Sequence, residues 1–457
     1  MTASPLPGLS HPSELARRYA RVRAQSLALA TPLSAEDCQA QSMPDASPVK
    51  WHLAHVTWFF ETFVLEAFEP GFAPFNPAFK VLFNSYYNAV GDKHPRPERG
   101  LLTRPCLAEV LRWREAVDER ICALLTGAAA DGAARLIELG LQHEQQHQEL
   151  ILTDMKHLLS RSGLSPVYRK PWPLAQVTPV AHAWVGFDGG LVQIGVDAAG
   201  TDATNGTFAF DNEGPRHTVH LRPYALANRL VTHGEWLDFM QAGGYADPRW
   251  WLSAGWDWVQ RERILAPLYW RQHLATGPWR SFTLHGEVPI DPHTPITHIS
   301  YFEADAFARW KAATDSACTG ARLPTEAEWE AAVARQLVQS AAPLADGNFA
   351  ESNALHPMPV ARADTQTDLL QTFGDCWEWT SSSYAPYPGY QPWPGAVGEY
   401  NGKFMVNQYV LRGGSCASPA SHLRASYRNF FPADARWQFS GLRLARDVAD
   451  VSAGMNA

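Results

Sequence analysis

The sequence predicts a multidomain chain of two classes, an all-α four-helix bundle followed by an irregular α+β domain. Three observations carry this. Residues 12–160 are rich in long runs with helical spacing of apolar residues. After about residue 180 the texture changes to short β-like runs broken by Gly, Pro and Asn. The 457 residues are enough for two or three domains. The expected boundaries are 10–165 for the bundle, 166–180 for a linker and 181–449 for the second domain.

The helices are justified in order. Ser13-Glu14-Leu15-Ala16-Arg17-Arg18-Tyr19 begins the first. Ser34-Ala35-Glu36-Asp37 is a capping box with Asp in place of Glu. Residues 50–66, 106–126 and 131–160 supply the rest of a bundle. Ser165-Pro166 and Pro171-Trp172-Pro173 mark the linker. Beyond it, runs such as Gly190–Gly195 and His217–Leu221 read as strands, and the helices are brief, such as 232–241 and 302–312.

Composition narrows the function. The net charge is −8 and no Lys/Arg-rich run exists, so nucleic acid is not an expected partner. No uninterrupted apolar stretch has membrane-spanning length. The first residues lack a basic-then-apolar signal pattern, and six cysteines lie scattered without paired spacing. They read as reduced thiols of a cytoplasmic protein. Eighteen tryptophans fit aromatic-lined pockets in a loop-rich fold.

The most informative stretch is Leu141–Leu150, where His143 and His147 stand four apart in a helix-forming run. Both imidazoles leave one helix face and can share a transition metal. The run also reads His-Glu-x-x-His, the zinc-protease pattern with Glu144 as base. That reading fails on its third ligand. Leu150 and Thr153 occupy the positions of the extended His-x-x-Gly-x-x-His form, and no Glu follows Glu149 before Glu213. A ligand from upstream is available in Trp51–Glu61, an apolar run of helical length with His52 and His55 three apart. One ligand from one helix and an i, i+4 pair from another is a common bundle site. Three neutral histidines suit Fe(II) as well as zinc, with positions left for substrate, water or dioxygen.

Four ordered motifs in the second domain resemble the formylglycine-generating-enzyme fold, a relative of C-type lectins. They are Gly320–Glu330 with Arg322-Leu323-Pro324-Thr325-Glu326, then Phe373-Gly374-Asp375-Cys376-Trp377-Glu378-Trp379-Thr380, Arg412-Gly413-Gly414-Ser415 and Ser440-Gly441-Leu442-Arg443. These elements read as structural: Thr325 caps a helix, Trp377 and Trp379 belong to a core, and the glycines permit tight turns. Cys376 stands where valine is usual and reads as a buried thiol.

The helical domain resembles the DinB-like four-helix bundles, and the domain order resembles the iron-dependent sulfoxide synthases of ergothioneine biosynthesis. The resemblance implies Fe(2+) on His55, His143 and His147, with His55 preferred because the family ligand sits in Leu-Ala-His. His52 becomes a helix-surface residue or a partner that steadies a ligand. The implied reaction uses dioxygen to join a thiol, cysteine or γ-glutamylcysteine, to C2 of the imidazole of hercynine. Asn84–Gly91 resembles the branch whose active-site tyrosines lie in the first domain, which implies a catalytic role for Tyr86 and Tyr87. Arg96 and Arg99 resemble the arginines that hold the thiol substrate's carboxylate. Gln146, Asn429 and Phe430 match hercynine contacts, Phe430 by cation–π attraction of the trimethylammonium. Phe431 replaces the acidic residue that binds the γ-glutamylcysteine amine in one branch, which favours free cysteine. Selenoneine synthases resemble the chain equally well and would join a selenosugar to hercynine instead. Rival readings are formylglycine generation, a lectin-like binding module fused to a bundle, and a DinB-type thiol transferase that uses zinc or nickel without oxygen.

Overall fold

The computed structural model describes residues 13–127, 130–170, 179–197, 208–274, 276–360 and 369–448. The described residues separate into two compact units, 13–158 with Phe208, and 159–197 with 209–448. Of the expected linker 166–180, residues 171–178 lie outside the described residues. Tyr168 and Arg169 belong to the second unit, where both backbone N–H groups donate to the Leu284 carbonyl.

The first unit is built on the helices Glu14–Ala30, Val49–Phe59, Leu107–Thr126 and Ala130–Ser160. Ser13 caps the first through its hydroxyl, which accepts from Ala16 N–H at 3.2 Å. The short helix Ala35–Gln39 carries the full reciprocal box between Ser34 and Asp37. Asp37 therefore does the work usually given to Glu. Val49–Phe59 is buried on every side, as an all-round apolar helix must be. It runs on through a π-helical turn at Phe60–Leu65. Leu107–Thr126 shows the opposite pattern, a stripe of Val110, Trp113, Val117, Ile121 and Leu124 against the core. Among the described residues, no helix is long and apolar enough to cross a membrane.

Buried ion pairs join three of these helices. Glu144 is fully buried and accepts from Arg23 Nη1 at 2.9 Å, from Ser26 Oγ at 2.6 Å and from Arg114. Arg23 and Tyr19 also bond Asp118, each at 2.6 Å.

In the second unit, a four-stranded sheet runs Asn429–Pro432, Gln408–Arg412, Trp377–Ser383, Ser440–Gly441. Only the last pairing is parallel. The expected brief helices appear as His233–Gln241 and Tyr301–Thr314. The four motifs are structural. Thr325 and Glu328 form the capping box of helix Glu326–Gln339. Trp377 and Trp379 are buried, and the Trp379 indole donates to the Ile299 carbonyl at 2.9 Å. Arg443 grips Glu378 with two bonds of 2.9 and 3.0 Å, both side chains fully buried. Gly414 sits at φ 84°, and a Cβ there would overlap Leu423.

One glycine tests the packing. Gly140 lies inside Ala130–Ser160, and a Cβ there would come 2.5 Å from Phe60 Cε1 and 3.1 Å from Phe59 Cδ1. Helix propensity alone favours Gly140→Ala by about 1 kcal/mol. Overpacking costs about 1–3 kcal/mol. The variant is expected to unfold at lower urea concentration than the parent; a higher midpoint would refute this packing.

Candidate metal centre

His143 and His147 leave one face of helix Ala130–Ser160 and meet His55 from Val49–Phe59. The ring centroids form a near-equilateral triangle of 5.0 Å (His55–His143), 4.9 Å (His55–His147) and 4.6 Å (His143–His147). One ligand atom from each lies within 4.8 Å of the other two, and all three side chains are buried. Three inward nitrogens at this spacing fit one transition ion.

Hydrogen bonds choose which nitrogen faces inward. His55 Nδ1 donates to the Phe83 carbonyl at 2.6 Å. Its Nε2 is then a buried lone pair without a hydrogen-bond partner among the described residues, which suits a ligand to metal. The ring is sandwiched between Trp51, at 4.6 Å and 13°, and Trp58, at 5.4 Å and 15°. Burial holds His55 and His147 well below the ordinary imidazole range, with neighbouring His143 adding to it. Burial brings His143 down to about 3. All three are neutral at pH 7, the form that binds metal.

Glu144 settles the protease question. Burial alone would raise its carboxyl, but Arg114 and Arg23 outweigh that and lower it. A carboxylate so enclosed by two guanidinium groups and a hydroxyl is a structural anchor, not a base for water.

The other expected residues fall into distinct surroundings. Tyr87 is buried, its ring 5.5 Å from Trp58 and 4.8 Å from the half-buried Tyr86. Asn84 organises this loop by donating to the carbonyls of Tyr87, Gly91 and Asp92 and accepting from Tyr87 N–H. Arg99 is buried, with its guanidinium 3.4 Å above the Trp51 ring and Nη1 donating to Ser47 Oγ at 2.9 Å. Burial and then Arg96 pull it down to about 9, still charged at neutral pH. Arg96 is exposed and donates to the Asp45 carbonyl. Gln146 is half-buried between the two helix ligands. Asn429 and Phe430 belong to the second unit. There Asn429 Oδ1 accepts from Phe430 N–H, and the Phe430 ring stacks on Tyr384 at 4.0 Å and 10°, with Phe404 at 5.9 Å.

The chain matches the DinB superfamily over residues 18–151 and the sulfatase-modifying factor enzyme 1-like domain over 175–448. It is 34% identical over 465 residues to the hercynine oxygenase of Mycobacterium tuberculosis, covering 96% of this chain and 100% of that protein. The hercynine oxygenase of Mycolicibacterium thermoresistibile is also 34% identical, over 96% of each chain. The chain belongs to this family, the sulfoxide synthases of ergothioneine biosynthesis. Ergothioneine biosynthesis protein 1 of Schizosaccharomyces pombe is 28% identical over 52% of this chain and 28% of its own length.

Two residues beside the candidate metal centre go beyond the sequence reading, which left His52 between a helix-surface residue and a partner of a ligand and did not name Asp154. His52 is 2% exposed, so it is no surface residue. Its Nδ1 lies 2.8 Å from His147 Nδ1, and its Nε2 lies 3.0 Å from Asp154 Oδ2. Asp154 passed unnoticed, although it stands two turns after His147 and hence on the same helix face.

The depressed imidazoles carry a pH signature in the metal-free protein. Below about pH 6.5 the unfolded chain takes up protons on these rings and the folded chain does not, so stability falls with pH. The slope is about 1.4 kcal/mol per pH unit for each ring. His422, also held low by burial, adds the same sign. Asp375, pushed up to about 6 by burial, opposes it, as do Glu61, Asp211, Asp305 and Glu378, whose carboxyls burial also raises. Urea titrations of the parent and His143→Leu from pH 7.5 to 5 should differ by one ring's share of the slope, the parent losing more stability as pH falls. Identical slopes would refute the depressed His143 imidazole.

Proposed function

We propose that this chain joins cysteine, or γ-glutamylcysteine, to C2 of the hercynine imidazole in an Fe(II)- and O2-dependent reaction. The observation that carries the reading is the buried triangle of three neutral imidazoles in a member of the hercynine oxygenase family. The reaction balances with dioxygen alone. The hercynine C2–H and the thiol S–H are lost, C–S and S=O bonds form, and the second oxygen atom leaves as water.

His55, His143 and His147 would hold the iron, which would supply Lewis acidity and one-electron redox chemistry, the four electrons for dioxygen coming from the two substrates. The donor set fits: neutral imidazoles suit Fe(II) and leave positions for substrates. Tyr86 and Tyr87 are the candidate proton or electron donors that steer oxidation towards C–S coupling. Arg99, stiffly held over Trp51, and Arg96 are the proposed contacts for the carboxylate of the thiol substrate. Gln146, Asn429 and Phe430 are the proposed hercynine contacts. The cluster of Phe430, Tyr384 and Phe404 supports this, since aromatic faces attract a trimethylammonium group. Phe431 packs edge-on against Trp437 and offers no carboxylate for a γ-glutamyl amine, which supports free cysteine as the donor.

The test loads the protein with Fe(II) and supplies hercynine and oxygen with cysteine, γ-glutamylcysteine or a selenosugar in parallel. The expected product is the hercynine–cysteine sulfoxide, formed with oxygen uptake and absent in His143→Ala. Product from the selenosugar alone would move the enzyme to selenoneine synthesis. Group transfer without oxygen uptake would make it a thiol transferase. Tyr86→Phe and Tyr87→Phe identify the acting phenol: its loss should divert the reaction from coupled product to oxidised thiol.

A further inference from the structure

Three imidazoles suffice for the metal, yet a fourth is buried beside them. His52 precedes His55 by one turn on Val49–Phe59 and bridges His147 to Asp154. The hydrogen-bond network assigns its protons. The Asp154 carboxylate only accepts, so His52 Nε2 carries the proton directed at it. In its single N–H form the ring then presents Nδ1 as an acceptor, the form that leaves His147 a lone pair for a metal. The proton in the 2.8 Å contact between the two rings therefore sits on His147 Nδ1. His147 is left with its lone pair on Nε2, the same tautomer that the Phe83 carbonyl selects in His55. Asp154 is itself fixed, since its Oδ2 also accepts from Ser47 N–H at 2.8 Å. His52, His147 and Asp154 are all buried, so water does not compete for these bonds.

We infer that His52 and Asp154 form a positioning relay that locks His147 as an Nε2 ligand and sets its ring orientation. The inference rests on the reading of His55, His143 and His147 as a metal centre. A ligand imidazole that is free to exchange tautomers presents an N–H to the metal part of the time. It also loses the basicity that an acceptor on its far nitrogen gives. Neither His52 nor Asp154 touches the metal or substrate in this scheme. Both act through His147.

The experiment uses the full chain and the metal alone. Anaerobic Fe(II) and Co(II) titrations are run on the parent, His143→Ala, His52→Leu, His52→Gln and Asp154→Ala, with the Co(II) visible spectrum recorded and metal-free thermal unfolding as a fold control. His52→Leu and Asp154→Ala should bind about 10- to 100-fold more weakly. His52→Gln should recover most of the affinity and the parent spectrum, because its amide oxygen accepts from His147 and its NH2 donates to Asp154. A purely structural role for His52 would track thermal stability and not be rescued spectrally. Parent affinity in both His52→Leu and Asp154→Ala, while His143→Ala fails to bind, overturns the relay and leaves the metal centre standing. Equal binding by the parent and His143→Ala overturns the metal centre itself. Should the variants not fold, ¹⁵N shifts of the His-labelled parent decide: a protonated Nδ1 and bare Nε2 on His147 are expected, and the reverse tautomer overturns the relay.

Discussion

The rotation of helix Ala130–Ser160 about its own axis is the constraint on which the metal centre depends. Glu144 sets it. On a helix, Glu144 points about 100° away from His143, and there it is gripped by Arg23, Arg114 and Ser26. With that carboxylate fixed, His143 and His147 have one direction left, towards Val49–Phe59. A small rotation would separate the three rings and simultaneously strip a buried carboxylate of its partners. Breaking one member of a buried pair costs about 3–5 kcal/mol. The sequence feature that mimics a protease is thus the device that aims the ligands.

Such an arrangement is expensive in desolvation and adds little net stability over an apolar equivalent. Its value is geometric. The same logic recurs in the second unit, where Glu326 bridges Arg412 and Arg428 and Glu378 meets Arg443, all in the interior. Each pair joins segments distant in sequence, and each sits in or beside one of the four motifs. These motifs therefore specify chain crossings rather than chemistry.

How much was legible in the sequence follows from the range of the interactions. Local rules worked: the four-residue spacing of His143 and His147, the Thr325 cap and the Ser13 start depend on neighbours within one turn. The texture change after about residue 180 signalled two units, though the described residues 159–170, expected in the bundle and linker, group with the second, where Tyr168 bonds Leu284. The π-helical turn at Phe60–Leu65 left no trace in the apolar spacing. His52 was ambiguous, since at three residues from His55 it could share the same face. On the metal-centre reading, what separates ligand from partner is which acceptor each ring finds, Phe83 for His55 and Asp154 for His52. No spacing rule encodes that choice.

Arg99 completes the electrostatic argument. Its cation lies on Trp51, which lies on His55, so a permanent positive charge is stacked against the metal-binding wall. It lowers the proton affinity of both His55 and His147, behind the larger effect of burial. Neutral imidazoles are thereby kept available without any carboxylate among the three ligands. A divalent ion held by three neutral donors would retain its full charge, and Arg99 beside it would make the proposed site strongly cationic. Such a pocket favours anions over neutral molecules and thiolates over thiols. On the proposed function, an all-histidine centre backed by a buried arginine would favour a carboxylate-bearing thiolate by charge before any specific contact is made.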